Sequence, residues 1–297
     1  MTLFKRILFF LCIVLINQGV AGDQDVEFID PREVPQGGIT LFHIPGVNER
    51  VTASLDGGEV ILVNGVEGMW GVVAVDFETA PGGHELVIKV NGKGLRRLIT
   101  VLDGGFGVQY LRLPRYMVEL DARTLKRVQH EADLIKDVWT KSVSTPLWQG
   151  QFIMPVDGVL SSPFGFKRVI NGQHKTPHTG IDIGATEGTP VRASNRGRVA
   201  LVGDFFFYGR SVIIDHGLGL FTMYFHLKDV SVGEGVVVEK GAVIGEVGMT
   251  GRATSPHLHF GVRVGRARVS PNQFIQVSEG WHPEGEGLIK STKETSY

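Results

Sequence analysis

The stretch TSPHLHFGV, Thr254 to Val262, sets two histidines one residue apart inside an otherwise apolar run. Side chains alternate along a β-strand, so His257 and His259 share one face while Leu258 and Phe260 share the other. The apolar pair can then enter a core as both imidazoles face a groove. Two residues of strand span roughly 6.6 Å, within which two imidazoles can converge on one ion or stand one water apart. Taken alone, an H-x-H pair reads as two hydrogen-bonded surface histidines.

The pair does not stand alone. HTGIDIG supplies His178 and Asp182 in an H-x-x-x-D spacing. Thr179, Gly180, Ile181 and Gly184 argue against a helix there, so a turn feeding a strand is expected. Imidazole nitrogen and carboxylate oxygen suit Zn²⁺. With one histidine of the HLH pair they make a His₂Asp set, three protein ligands with a fourth position free, which is the pattern of a catalytic rather than a structural zinc. TMYFHL adds His226. Strict alternation puts Thr222, Tyr224 and His226 on one face and Met223, Phe225 and Leu227 on the other. Beside a zinc site His226 becomes a general base or an electrostatic partner.

SSPFGFKR (Ser161 to Arg168), HTGIDIG, GTPV, IDHG, YFHL, VEKGAVIGEVGMTGRAT and SPHLHF follow one another in an order that resembles the lysostaphin-type (LytM-type) zinc metallopeptidases of bacterial peptidoglycan. That resemblance implies one Zn²⁺ per chain held by His178, Asp182 and His259. It implies His257 and His226 as catalytic histidines and, more loosely, Tyr208 as an oxyanion-binding group. The implied reaction is hydrolysis of a peptide cross-link by zinc-bound water attacking the scissile carbonyl, with D-Ala–diaminopimelate the expected bond. All five motif residues are present, which favours an enzyme over the alternative, a non-enzymatic scaffold that activates a cell-wall amidase.

The rest of the chain reads as an envelope protein. Lys5 and Arg6, the apolar run Ile7 to Ile16 and the small residues Gly19 to Ala21 form an expected signal peptide over 1–21. The apolar run is too short for a span, which needs about 20 residues. The single cysteine, Cys12, lies inside it, so the mature chain has no disulfide and no thiol chemistry. The charge is nearly balanced, with 30 Lys+Arg against 31 Asp+Glu, which argues against nucleic acid as a partner. Periplasmic or secreted export follows, and no transmembrane segment is expected after signal removal. Protein regulators cannot be read from the residues.

Forty glycines and short strand-like runs between turn signals indicate a mainly β, all-β protein. Residues 26–104 read as an Ig-like β-sandwich. Residues 105–150 read as a linker with an amphipathic helix, capped by Asp121, whose apolar face is Leu125, Val128, Ala132, Ile135 and Trp139. Residues 151–285 read as the antiparallel-sheet peptidase domain and 286–297 as a polar tail. Histidines outside the motif (His43, His84, His130, His174, His216 and His282) are expected to be structural or solvated, and Trp139 and Trp148 to anchor domain packing.

Overall fold

A computed structural model describes residues 27–28, 32–47, 50–65, 68–174 and 177–280. The expected signal peptide with Cys12, His282 and the polar tail lie outside these residues.

The N-terminal strands form two facing sheets. One runs in the order Glu27–Phe28, Ile39–Pro45, Gly68–Ala74, Ile61–Gly65; the other runs Glu33–Pro35, Lys93–Leu102, Gly82–Val90, Val51–Leu55, Gly58–Glu59. Phe42, Ile44 and Val73 from the first sheet meet Leu86, Ile88 and Ile99 from the second in one core. The sandwich departs from pure antiparallel pairing at one edge, where Glu33–Pro35 runs parallel to Lys93–Leu102. Strand Ile39–Pro45 is apolar on both faces for a reason. Phe42 and Ile44 fill the sandwich, while Ile39 and Leu41 join a second core with Phe152, Phe164 and Phe274 of the C-terminal half. An ionic clasp closes the same contact: Arg268 donates to both oxygens of Asp76 at 2.9 and 3.0 Å and to Glu78 at 2.7 Å.

The C-terminal half is built on a ten-stranded sheet. Its main path runs Val159–Ser162, Ile181–Gly184, His257–Val264, Leu220–Val230, Gly209–Gly217, Gly197–Phe205, Val237–Val238. Leu258, Phe260, Tyr224, Val212 and Ile214 are fully buried in the core on one face. A short helix, Pro271–Val277, absent from the sequence expectation, adds Phe274 to that core.

The connecting helix spans Ala122–Val138, and Asp121 caps it by accepting from Thr124 N at 2.7 Å. It packs Ile135, Val138 and Trp139 over the other face of the sheet, against Ile213, Phe221, Met223 and Phe225. The expected apolar stripe is rotated: Leu125 and Ala132 face solvent, and Glu131 is buried instead. Glu131 is drawn inward by polar partners, since its carboxylate accepts from Phe206 N at 2.9 Å and from Arg127 Nε at 2.6 Å. The helix thus holds the turn that carries Tyr208. Its linker also contains a strand that local pattern did not reveal, Val108–Leu111, which pairs in parallel with Lys167–Ile170.

Candidate metal centre

His257 and His259 open the strand His257–Val264, with Leu258 and Phe260 pointing to the core as alternation requires. Asp182 lies on the neighbouring antiparallel strand directly opposite His259. His178 precedes that strand in a segment without regular secondary structure, tied by its own N–H to Phe166 O at 2.9 Å. The three side chains converge. His178 Nε2 is 2.9 Å from Asp182 Oδ1, His259 Nδ1 is 2.8 Å from the same oxygen, and the two nitrogens are 3.0 Å apart. Gly180 makes room for this, because a Cβ there would stand 2.4 Å from Phe260 O and 2.7 Å from His259 Nε2.

The donor set fits a cation. His178 Nδ1–H donates to Pro163 O at 2.8 Å, which leaves Nε2 of the neutral ring with a lone pair and no proton. Three atoms able to ligate a metal thus converge in a buried site, a set that suits a zinc ion. The Asp182 carboxyl lies well below the usual carboxylate range: burial opposes its charge, but the imidazoles of His178 and His259 outweigh that cost. Burial lowers His259 to about 4, so it stays neutral and able to ligate at physiological pH.

His226 and His257 flank the three. Their ring centroids are 4.8 Å apart, and His257 Nε2 is 3.8 Å from Asp182 Oδ1. His226 Nδ1–H donates to Thr250 O at 2.9 Å and His257 Nδ1–H to Ser255 O at 2.8 Å, so both rings keep Nε2 as an acceptor. Burial, reinforced by His257 and His259, pushes His226 down to about 3. Strict alternation fails at His226. Its φ is +65°, a bulge sets Phe225 and His226 against Ser211, and Leu227 joins the core occupied by Tyr224 rather than the face of Phe225. The left-handed conformation, which costs roughly 1–2 kcal/mol for a non-glycine residue, is held by His226 N–H donating to Tyr208 O at 2.8 Å. Phe225 stacks on His259, centroids 5.5 Å apart and planes at 4°, and Tyr208 packs on Phe225 at 4.5 Å.

The family comparison agrees with this geometry. Residues 176–271 match the model of Peptidase family M23. A crystal structure of a putative peptidase M23 from Pseudomonas aeruginosa is 31% identical, covers 82% of this chain and 95% of its own, and superposes with a TM-score of 0.66. The chain belongs to peptidase family M23. M23 peptidases are zinc-dependent. Curated relatives of this M23 chain include the DD-carboxypeptidase/endopeptidase Mpg of Neisseria meningitidis, 46% identical over 112 residues, which are 38% of this chain and 26% of that protein. The peptidoglycan DD-endopeptidase ShyA of Vibrio cholerae is 42% identical over 84 residues, 28% of this chain and 20% of that one. The matches thus span about a quarter or less of those relatives' length.

Three residues of this M23 centre escaped the sequence reading. Arg168 Nη2 donates to Asp182 Oδ2 at 2.9 Å, fixing the oxygen that faces away from the histidines. Gln109, on the linker strand, accepts from Arg168 Nε and from Ser162 Oγ, both at 3.3 Å. Ser162 Oγ is also 3.2 Å from His178 Nδ1. Ser162 and Arg168 stand within the SSPFGFKR stretch, yet no local spacing ties them to Asp182. Several of the remaining described histidines have partners elsewhere. His216 is fully buried, donating to Arg196 O at 2.8 Å and meeting Thr222 Oγ1 at 2.7 Å; His43 stacks on Trp70, His84 pairs with Asp56, and His130 is exposed. His174 ends the short strand Gln173–His174. Among the described residues no helix is long and apolar enough to cross a membrane.

Proposed function

We propose that this chain is an exported, zinc-dependent endopeptidase that cleaves D-Ala–diaminopimelate cross-links of peptidoglycan in the periplasm. The observation that carries the reading is the meeting of His178 Nε2, Asp182 Oδ1 and His259 Nδ1 within 3.0 Å of one another, beside two histidines whose Nε2 atoms are acceptors. The names of the relatives, a DD-carboxypeptidase/endopeptidase and a peptidoglycan DD-endopeptidase, support the substrate class.

His178, Asp182 and His259 would hold one zinc ion. When bound, zinc polarises the scissile carbonyl and acidifies the attacking water. Nε2 of His226 or His257 receives the proton that the water gives up, since both Nδ1 atoms are committed to backbone carbonyls. The ring that gains it then returns a proton to the leaving nitrogen. Tyr208, 40% exposed at the edge of the centre, is the candidate donor to the oxyanion. Arg168 keeps the Asp182 carboxylate turned toward the metal side.

The decisive experiment digests cross-linked peptidoglycan with zinc-loaded protein and identifies released muropeptides by mass. Loss of D-Ala–diaminopimelate cross-links is the expected result. Intact cross-links at full zinc occupancy would overturn the reading.

A further inference from the structure

Arg252 lies in the turn between strands Val243–Val247 and His257–Val264, the same turn whose Thr250 carbonyl orients His226. The turn is locked onto the Tyr208 hairpin. Arg252 N donates to Phe207 O at 2.9 Å, and Arg210 N donates to Thr250 Oγ1 at 2.9 Å. Gly251, at φ +71°, packs so closely that a Cβ would stand 2.3 Å from Gly209 N. The Arg252 guanidinium lies over the Phe207 ring at 4.2 Å and is only half-buried. It is therefore a cation held over Phe207 by the turn that orients His226, not a free surface side chain.

Its charge is unanswered. Arg168 has Asp182, Arg127 has Glu131, Arg198 has Asp215 and Arg268 has Asp76 and Glu78. Among the described residues no carboxylate pairs with Arg252. Burial and the positive charge of Arg168 lower its pKa, against the opposing effect of Tyr208. A bound zinc ion adds positive charge that Asp182 alone cannot balance. Such a centre favours an anionic group on the substrate.

We propose that Arg252 is a specificity-determining residue that binds a free carboxylate on the residue supplying the leaving amine. This deepens the proposed function and rests on it. A D-Ala–diaminopimelate cross-link carries such a carboxylate on the carbon next to the scissile nitrogen, and a terminal D-alanine carries one at the same place. A glycine bridge has a further amide there instead. The planar guanidinium can grip a carboxylate through two parallel hydrogen bonds, a geometry that an amide cannot match in charge or form.

The test compares two synthetic cross-linked peptides, one with the carboxylate beside the scissile nitrogen free and one with it amidated, against zinc-loaded full-length protein. The native protein should cleave the free form with a kcat/KM about 10–100-fold higher, the size expected for a charge-assisted hydrogen bond. Arg252→Ala should lose that preference by slowing only on the free form, with zinc content unchanged. Arg252→Lys should recover part of it, which guards against a merely misfolded alanine variant. Calorimetric binding of the amine-side product peptide, free against amidated, to metal-free protein should show the same dependence on Arg252. Equal cleavage of both peptides by the native protein, or a preference that survives both substitutions, overturns this inference and leaves the endopeptidase reading intact. Failure to cleave either peptide at full zinc occupancy overturns that reading itself.

Discussion

Asp182 and His259 stand directly opposite each other on antiparallel strands, with Oδ1 2.8 Å from Nδ1. Cross-strand register thus assembles two of the three candidate metal ligands, and a rigid sheet holds them. On its other side His259 is paired with Phe225, whose ring stacks on it. The imidazole is clamped between a carboxylate and an aromatic face, and the connecting helix packs on that aromatic.

The two histidines of HLH should separate by role. His259→Ala is expected to abolish stoichiometric zinc binding, read by elemental analysis after dialysis. His257→Ala should retain zinc and lose about 10²–10⁴-fold in turnover, the usual range for a positioned acid–base group. Equal loss of zinc in both variants would contradict this division.

The linker should matter to the metal. Gln109→Ala removes the acceptor shared by Arg168 and Ser162, and zinc affinity should fall about 10–100-fold, as for other groups that orient ligands. A chain beginning at Gly150 loses this strand and the helix that anchors Phe206, so it should bind zinc more weakly than the full chain. Competition with a chelator of known affinity measures both. Undiminished affinity in the shortened chain would show that the linker is dispensable.

Gly180→Ala tests packing at the centre. The added methyl meets Phe260 O and His259 Nε2 well inside contact distance, so the ring must shift. Overpacking of this kind costs about 1–3 kcal/mol. The expected result is a lower Tm together with weakened zinc binding, whereas Gly57→Ala, at a left-handed turn with open space around it, should leave zinc binding unchanged.

His216 sets an acid limit on stability. Burial lowers it from its ordinary value of 6.5 to about 4. Between those values the unfolded chain binds a proton that the folded chain refuses, so stability falls as pH drops through the window. The slope for one such group is about 1.4 kcal/mol per pH unit. Denaturant melts of the zinc-loaded protein at pH 7, 6 and 5 should show a steeper acid loss than the same series on His216→Gln. Parallel slopes would assign the acid sensitivity to other groups.

Local period explains why much of the site was legible. Alternation along HLHFGVRV placed both histidines opposite Leu258 and Phe260, and the chemistry of His178 and Asp182 marked them as donors. The same rule erred at His226, where a bulge and a positive φ reverse the side-chain sense. It erred again on the helix, where Glu131 turns inward to satisfy Phe206 N and Leu125 turns out.

Residue type, strand period and turn chemistry are properties of a few neighbouring residues. From them alone the chain determines a β-rich protein with a shared His face and a His/Asp donor set. Register between strands, the parallel addition of Val108–Leu111, and the meeting of Arg168 and Gln109 behind Asp182 join segments far apart in the chain. Only tertiary structure decides them, because their energy comes from pairing and burial between distant segments, which no local repeat encodes.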